Sequence, residues 1–399
     1  MSTSSHSKIL IVGAGTAGIS IAARLIRKDP TLKNNVSIVD PSDKHYYQPF
    51  FTLIGAGDAK LDNNVRPQQS LIPDGVKFIN DAITLFHPEN NSVDTKNGNT
   101  LTYDYLVVTA GIQLNWGNIK GLEDSMGKNG VCSIYSAETV ESTWKAMQNV
   151  KKGHAIFTQP GSPIKCAGAP QKIMHLSHEY FQRSGVRDHV TIEFISGMPT
   201  LFPVKHYYPI LKKLADERNI KESFNLELIE VDGDKQEATF KNSESGEILT
   251  RKFSMLHVTP FMSAPTFIKN SPLVDESGWV SVDMHTLKHT KYNNIFSAGD
   301  CSNLPTAKTG AGIRKQAPVL VENLIATIKN KKLTASYDGY ASCPLVVGYD
   351  KVILAEFIYG FKPQETFPID QRIPRRSMFL MKKNILPMMY WNGMLKGTM

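Results

Sequence analysis

The chain has 399 residues, 41% of them hydrophobic and 21% charged, enough to bury a sizeable core and far from the composition of a disordered chain. Lys and Arg number 45 against 37 Asp and Glu, a formal charge of +8, which suits an anionic substrate or an anionic lipid surface and gives no sign of nucleic-acid binding. Four cysteines exclude a disulfide-stapled scaffold; without a C-x-x-C pair no zinc knuckle, and no metal, is expected.

Met1 to Ser7 reads as a short polar leader, with an apolar strand opening at Lys8. Neither a signal pattern nor an Arg-rich transit helix is visible, and no uncharged apolar run is long enough to span a bilayer. The expectation is a cytoplasmic protein, or a mature chain whose leader has been removed.

Lys8-Ile9-Leu10-Ile11-Val12 runs straight into Gly13-Ala14-Gly15-Thr16-Ala17-Gly18, followed by a helical stretch from Ile19 to Arg27. Gly13, Gly15 and Gly18 permit a tight turn, a close approach to pyrophosphate and close helix–strand packing, and the helix N-terminus offers free N–H groups. A second strand, Val36 to Val39, ends at Asp40, a carboxylate placed for ribose hydroxyls. Strand-like and helical runs alternate through the chain, the mark of an α/β protein. Two more buried strands end in glycine, Tyr105 to Val108 leading into Thr109-Ala110-Gly111 and Asn294 to Ser297 leading into Ala298-Gly299-Asp300; Lys308 to Gly312 opens another helix. These boundaries divide the chain into a split first domain, 1–112 plus 284–345, an inserted domain, 113–283, and a C-terminal region, 346–399.

The inserted domain lacks a second fingerprint. Its strand His154 to Gln159 is followed by Pro160-Gly161-Ser162-Pro163-Ile164-Lys165-Cys166-Ala167-Gly168-Ala169-Pro170. The glycines are out of register and the prolines remove amide donors that a phosphate needs. The next strand, Val190 to Ile195, ends in Ser196-Gly197 with no acid or arginine for a ribose. NAD(P)H is therefore not the expected electron donor. Cys166 precedes a helix from about Gln171 to Ser184, and Lys165 with the helix N-terminus favours its thiolate. Cys343 lies in a loop far along the chain. On spacing alone the two are as well read as free buried thiols. Cys132 and Cys301 read as packing residues.

Between Ser377 and Lys396, apolar residues at 378, 381, 385, 388 and 389 keep helical spacing, with Lys382 and Lys383 on the flank. Pro387 predicts a break into two short helices. Tyr390, Trp391 and snorkelling lysines suit an in-plane amphipathic membrane anchor. The other reading is a helix on the protein's own core or across a dimer interface.

The Thr109-Ala110-Gly111 and Gly299-Asp300 turns resemble those of the two-dinucleotide-domain flavoproteins. That resemblance implies FAD, with Asp300 near its ribityl chain and the helix after Lys308 aimed at the flavin. Lys165 to Lys172, Gly299 to Thr306, Ser342-Cys343-Pro344-Leu345-Val346, Ile353 to Phe357 and Met388-Met389-Tyr390-Trp391-Asn392 together resemble the sulfide:quinone oxidoreductase family, eukaryotic-like type, over nearly the whole chain. The resemblance implies an α/β fold of two Rossmann-like, glutathione-reductase-like domains with a C-terminal amphipathic membrane-associated segment. It implies FAD contacts at Ala17, Gly18, Asp40, Gln48, Ile83, Asp300, Lys308, Thr309, Gly310 and Ala311, beside Gly13, Gly15, Ala110 and Gly111.

It also implies that Cys166 and Cys343 are the redox pair, joined by a sulfur bridge that hydrosulfide attacks. Lys172 and Lys382 would draw in the anion. A persulfide is left on Cys343, two electrons pass through FAD to a membrane quinone, and the sulfane sulfur goes to a small thiol, sulfite or a second sulfide. The expected location is peripheral (monotopic) on the cytoplasmic face of a bacterial inner membrane, or on the mitochondrial inner membrane if a leader has been removed. Ending at Met399, short of the extension of animal members, the chain would grip the membrane more weakly. A homodimer is left open. The alternatives are an NADH:quinone oxidoreductase of the same fold and a flavin-bearing redox sensor.

Overall fold

A computed structural model describes residues 4–399. The strands Val76–Ile79, Val36–Val39, Ser4–Val12, Thr100–Val108 and Ile295–Ser297 lie parallel in one sheet. Ser92–Thr95 and Ile83–His87 extend it antiparallel. Ile9, Leu10, Ile11, Leu106, Val107, Ile295 and Phe296 are fully buried, as strands covered on both faces require. The first strand starts at Ser4 rather than Lys8, because Ser4 to Ser7 pair with Thr100 to Tyr103. Its polar residues find partners there, Ser7 Oγ meeting Ser37 Oγ at 2.7 Å, so the sequence reads as a leader although the backbone is a strand. Met1 to Thr3 lie outside the described residues.

The inserted unit holds a second parallel sheet, in the spatial order Val131–Cys132, Met255–His257, Gly153–Gln159, Val190–Ser196, Ile220–Ser223. The helix Ala169–Arg183 packs on it and ends at Gly185, whose φ of +73° gives the left-handed stop that glycine permits. An antiparallel meander, Leu226–Asp232, Glu237–Asn242 and Ile248–Lys252, follows.

Cys343 is not in a loop. It lies within the strand Ala341–Gly348, paired with Lys351–Ile358, so a domain boundary at 345 would cut this hairpin. Further on, the helix Arg376–Leu380 continues through a π turn, Met381–Ile385, into Leu386–Asn392. Pro387 does not break the run: the wider turn ahead of it takes up the missing N–H and the ring, and Ile385 and Leu386 keep helical φ/ψ of −79/−47° and −62/−40°. The expected apolar face is exposed at Ile385 and Met388, but two residues expected at its polar rim turn inward. Lys382 and Tyr390 are buried, while Leu380, Ile385 and Met388 are 48%, 47% and 57% exposed. The lysines do not snorkel: Lys382 Nζ donates to Pro49 O at 3.0 Å and Lys383 pairs with Asp58 at 2.7 Å. No described helix is long and apolar enough to cross a membrane.

Candidate active site

The glycine turn sits between the first strand and the helix Thr16–Lys28. A Cβ on Gly18 would stand 1.9 Å from Gly13 O, so only glycine lets the helix come this close to the strand. Asp40 clasps the turn from the second strand. Ala14 N donates to its Oδ2 at 2.7 Å and Ser42 N to its Oδ1 at 2.8 Å; each oxygen keeps a further lone pair. Burial nevertheless raises its pKa, against those two hydrogen bonds.

Cys166 lies between the units. Its N–H donates to Lys308 O at 2.9 Å, tying the cysteine loop to the segment that opens the helix Gly310–Ile328. Its φ is +51°, a left-handed conformation that a side chain seldom takes and that recurs at active sites. Cys343 reaches it from the hairpin. Both are free cysteines. Neighbouring Cys343 and the Lys172 ammonium, 3.1 Å from the Cys166 sulfur, hold the Cys166 pKa well below the thiol range against burial. The nearby Cys166 and burial push Cys343 well up. The pair therefore favours negative charge on Cys166 over Cys343. The charge comes from Lys172, one turn into the helix Ala169–Arg183, rather than from Lys165, the sequence neighbour. Lys165 Nζ instead donates to Gln48 Oε1 at 2.9 Å, and burial lowers its pKa to about 8. Lys382 completes the basic wall; burial, then the charge of Lys172, brings it down to about 7.

The turn after Gly153–Gln159 is closed to a second dinucleotide. Gly161 N donates to Glu227 Oε1 at 2.6 Å, and a Cβ on Gly197 would stand 2.1 Å from the same oxygen. A carboxylate from the meander therefore occupies the amide that a phosphate would use. The start of the helix Ala169–Arg183 is covered as well: a Cβ on Gly168 would meet Leu345 Cδ2 at 2.4 Å and Cys343 Sγ at 2.6 Å.

The family model described as pyridine nucleotide-disulphide oxidoreductase matches residues 7–155. Over 393 residues the chain is 46% identical to a Mus musculus protein named sulfide:quinone oxidoreductase, mitochondrial, covering 98% of this chain and 87% of that one. The Dictyostelium discoideum protein of the same name is 46% identical over 392 residues, covering 98% and 86%. The chain belongs to the sulfide:quinone oxidoreductase family. Its fold is similar to the X-ray structure of the Aquifex aeolicus sulfide:quinone oxidoreductase, with a TM-score of 0.84 at 21% identity over 98% of this chain and 92% of that one.

FAD is the cofactor of sulfide:quinone oxidoreductases, and the residues present fit it. A Cβ on Gly15, Gly111 or Gly310 would meet nothing within 4 Å. These open backbones lie just past the carboxyl ends of Ser4–Val12 and Thr100–Val108 and at the start of the helix Gly310–Ile328, the crevice where α/β sheets bind dinucleotides. Gly13, Ala17 and Gly18 form the turn, and Ala110 and Gly111 lie half-buried beside it. Ile83 is buried at the start of its strand, just past Asn80, whose side chain reaches Asp40 O. Thr309 caps the helix Gly310–Ile328 by accepting from Gly312 N, with Ala311 in its first turn. Burial raises the Asp300 pKa, while the charges of Lys308 and Lys165 lower it. Lys308 is a brace: its ammonium donates to Asp300 O at 2.7 Å and Ser302 O at 3.0 Å and lies 3.8 Å from the Trp279 ring centroid.

Two residues of this site carry no sequence signal. Glu227 stands in an ordinary alternating strand. Tyr135, buried, follows Cys132 in an apolar run; burial and then the charge of Cys166 push its ionisation well up. Cys132 and Cys301 are both fully buried: burial takes Cys132 to about 12, and the Cys301 thiol is held among Ser297, Val108 and Ala298.

Proposed function

We propose that this chain oxidises hydrosulfide at Cys166 and Cys343 and delivers two electrons through FAD to a quinone. The observation that carries the reading is the Lys172 ammonium 3.1 Å from Cys166 Sγ, with Cys343 packed against Gly168 at the start of the same helix. Thiol–disulfide exchange is fastest when the leaving sulfur is a stabilised thiolate. In a bridge between the two, Cys166 is that leaving group and Cys343 the sulfur attacked. HS⁻ forms a bond to Cys343 Sγ, the bond to Cys166 breaks, and the products are a Cys343 persulfide and a Cys166 thiolate; with an extra sulfur in the bridge, attack at the bridging sulfur releases the same Cys166 thiolate and leaves a chain one atom longer on Cys343. Lys172 and Lys382 offset the negative charge of the incoming anion and of the departing thiolate. The terminal sulfur passes to a small thiol, sulfite or a second sulfide, which leaves the thiol and thiolate side by side. Bound FAD supplies the two-electron relay between that pair and the quinone.

The FAD contacts are those named above, carried by 1–112 and the segment from about 284 to the start of the hairpin; 113–283 brings Cys166, and the hairpin with the C-terminal region brings Cys343 and Lys382. Among the described residues, seven of nine exposed large apolar side chains fall between Phe361 and Met388. Such a patch marks an interaction surface, and we read it as a peripheral membrane contact beside the quinone entry. The mitochondrial names of the relatives favour a mitochondrial membrane over the cytoplasmic face of a bacterial one.

The test is anaerobic addition of sulfide to the holoprotein while flavin absorbance is followed. Wild type bleaches and Cys166→Ser does not; bleaching at the wild-type rate in Cys166→Ser would sink the assignment.

A further inference from the structure

The C-terminal helix Leu386–Asn392 is bound to the dinucleotide turn by a closed series of hydrogen bonds. Tyr390 Oη meets Thr16 Oγ1 at 2.8 Å and His45 Nε2 at 2.5 Å. His45 Nδ1 meets Gln68 Oε1 at 3.2 Å, and Gln68 Nε2 donates to Ala14 O at 2.5 Å. The series leaves the turn at Thr16 and returns to it at Ala14. One set of proton positions satisfies it throughout: Thr16 hydroxyl to Tyr390, Tyr390 hydroxyl to Nε2 of a neutral imidazole, Nδ1–H to Gln68, and the Gln68 amide to Ala14 O. Burial lowers His45 to about 4, so the imidazole is neutral at physiological pH and the arrangement is complete there.

The seat around this series is aromatic. Tyr390 packs 4.7 Å from Tyr47 and 5.9 Å from His45, Trp391 lies 5.9 Å from His45, and Arg66 lies 4.6 Å from the Trp391 ring. The last residues fasten the same helix from behind: Leu395 is buried, and Gly397 lies so close to Ala23 and Arg24 of Thr16–Lys28 that a Cβ there would stand 2.7 Å from Arg24 N. None of these contacts touches the sulfur pair. The two ends of the hydrogen-bond series hold the residues that flank Gly15, the open point of the turn, and the other contacts hold Tyr390 in its seat.

We propose that residues 386–399 are a latch on FAD: Tyr390, through Thr16, His45 and Gln68, fixes the Ala14 to Thr16 backbone in its pyrophosphate-binding shape and slows cofactor release. A fixed turn binds phosphate without first paying the entropy of ordering. Thermodynamic coupling is reciprocal, so FAD also holds the latch closed.

Two measurements on full-length protein test this. FAD remaining per chain is followed during timed dialysis of the holoprotein, for wild type, Tyr390→Phe and Tyr390→Ala. Tyr390→Phe removes only the hydroxyl and keeps the ring in its seat, so it separates the hydrogen bonds from the packing. The expected result is release about tenfold faster or more in Tyr390→Phe, which loses the hydrogen bonds to Thr16 and His45, and faster again in Tyr390→Ala, with the thermal midpoint of the Tyr390→Phe apoprotein lowered less than that of Tyr390→Ala. In parallel, trypsin cleavage after Lys396 is timed in apoprotein with and without added FAD. FAD should protect the wild-type site severalfold and protect Tyr390→Phe much less. Release at the wild-type rate in both variants, or FAD protection of Lys396 unaltered by Tyr390→Phe, overturns the proposal.

Discussion

The Lys172 ammonium lies 3.1 Å from Cys166 Sγ, brought there by the first turns of a helix whose own start is sealed by Gly168 against the Cys343 sulfur. The positive charge therefore acts on one sulfur of the pair more than the other. The Cys166 pKa is accordingly lowered and that of Cys343 raised. The asymmetry gives the exchange a direction: the sulfur that leaves is Cys166, and the one that keeps the extra atom is Cys343.

Replacing Lys172 with Met should raise the Cys166 pKa. A group held below its ordinary pKa keeps its thiolate down to the lowered value, so wild-type Cys166 stays reactive in mild acid. Each unit by which Lys172→Met raises that pKa removes about tenfold of the thiolate there. Iodoacetamide labelling of the reduced protein, read by peptide mass at mildly acidic pH, should fall by one to two such factors at Cys166. Unchanged labelling would mean that Lys172 does not set the charge.

Gly168→Ala should separate the sulfurs. The added methyl must displace Leu345 and Cys343; overpacking of this kind destabilises by ~1–3 kcal/mol, and a shift of about 1 Å at a reacting pair can lower a rate by about a hundredfold. FAD content should stay at wild-type level while sulfide-driven quinone reduction and diamide-induced bridging of Cys166 to Cys343 both fall. Normal bridging in this variant would show that the pair tolerates the methyl.

NADH should not reduce the protein. Glu227 already accepts the Gly161 amide, and its carboxylate would repel a pyrophosphate. Glu227→Gln removes the charge but leaves Pro160, Pro163 and the covered helix start, so NADH is expected to leave the flavin oxidised in this variant too. An anaerobic NADH titration checks both; bleaching of the wild type would reopen the second dinucleotide site.

Lys382 makes stability depend on pH in a defined direction. It titrates near 7 in the folded protein, against about 10.4 in an unfolded chain. Below pH 7 both states hold the proton. Between about 7 and about 10.4 the unfolded state holds one that the folded state has shed, so this residue's contribution to stability rises with pH there, by up to about 1.4 kcal/mol per unit. Urea unfolding of wild type and Lys382→Met at several pH values should show the wild type gaining on the variant across that window. A gap that stays constant with pH would contradict the assignment.

The first half of the site was legible because it is local. The glycine turn, its flanking strand and helix, and Asp40 all fall within one short stretch, and the structure brings them together as their spacing suggests. The sulfur pair was legible only through resemblance, since nothing in either segment points to the other. Cys343 reads as a loop residue because Pro344 follows it. The strand tolerates that proline because Ala341–Gly348 is at a sheet edge, where a missing N–H faces away from the ladder. Lys165 was the obvious partner for Cys166 by adjacency, but the left-handed turn at Cys166 sends its neighbours elsewhere and a residue one helical turn on takes the place. Glu227 comes from a different sheet, and no local pattern marks it. In the C-terminal segment the exposed apolar residues Ile385 and Met388 were legible, but the burial of Lys382 and Tyr390 was not, because helical periodicity assumes the α pitch throughout.

That departure from the α pitch sets a length rule for the C-terminus. Lys382 points at the sulfurs and Tyr390 at Thr16 only because the turn between them carries a residue more than an α turn would. Deleting Asn384, which is exposed and whose side chain bonds only Leu380 O, would restore the ordinary pitch and swing everything after it by about 100°. Lys382 would stay in its seat while Tyr390 rotated out of reach of His45. A gain or loss of one position between these two anchors forfeits one of them.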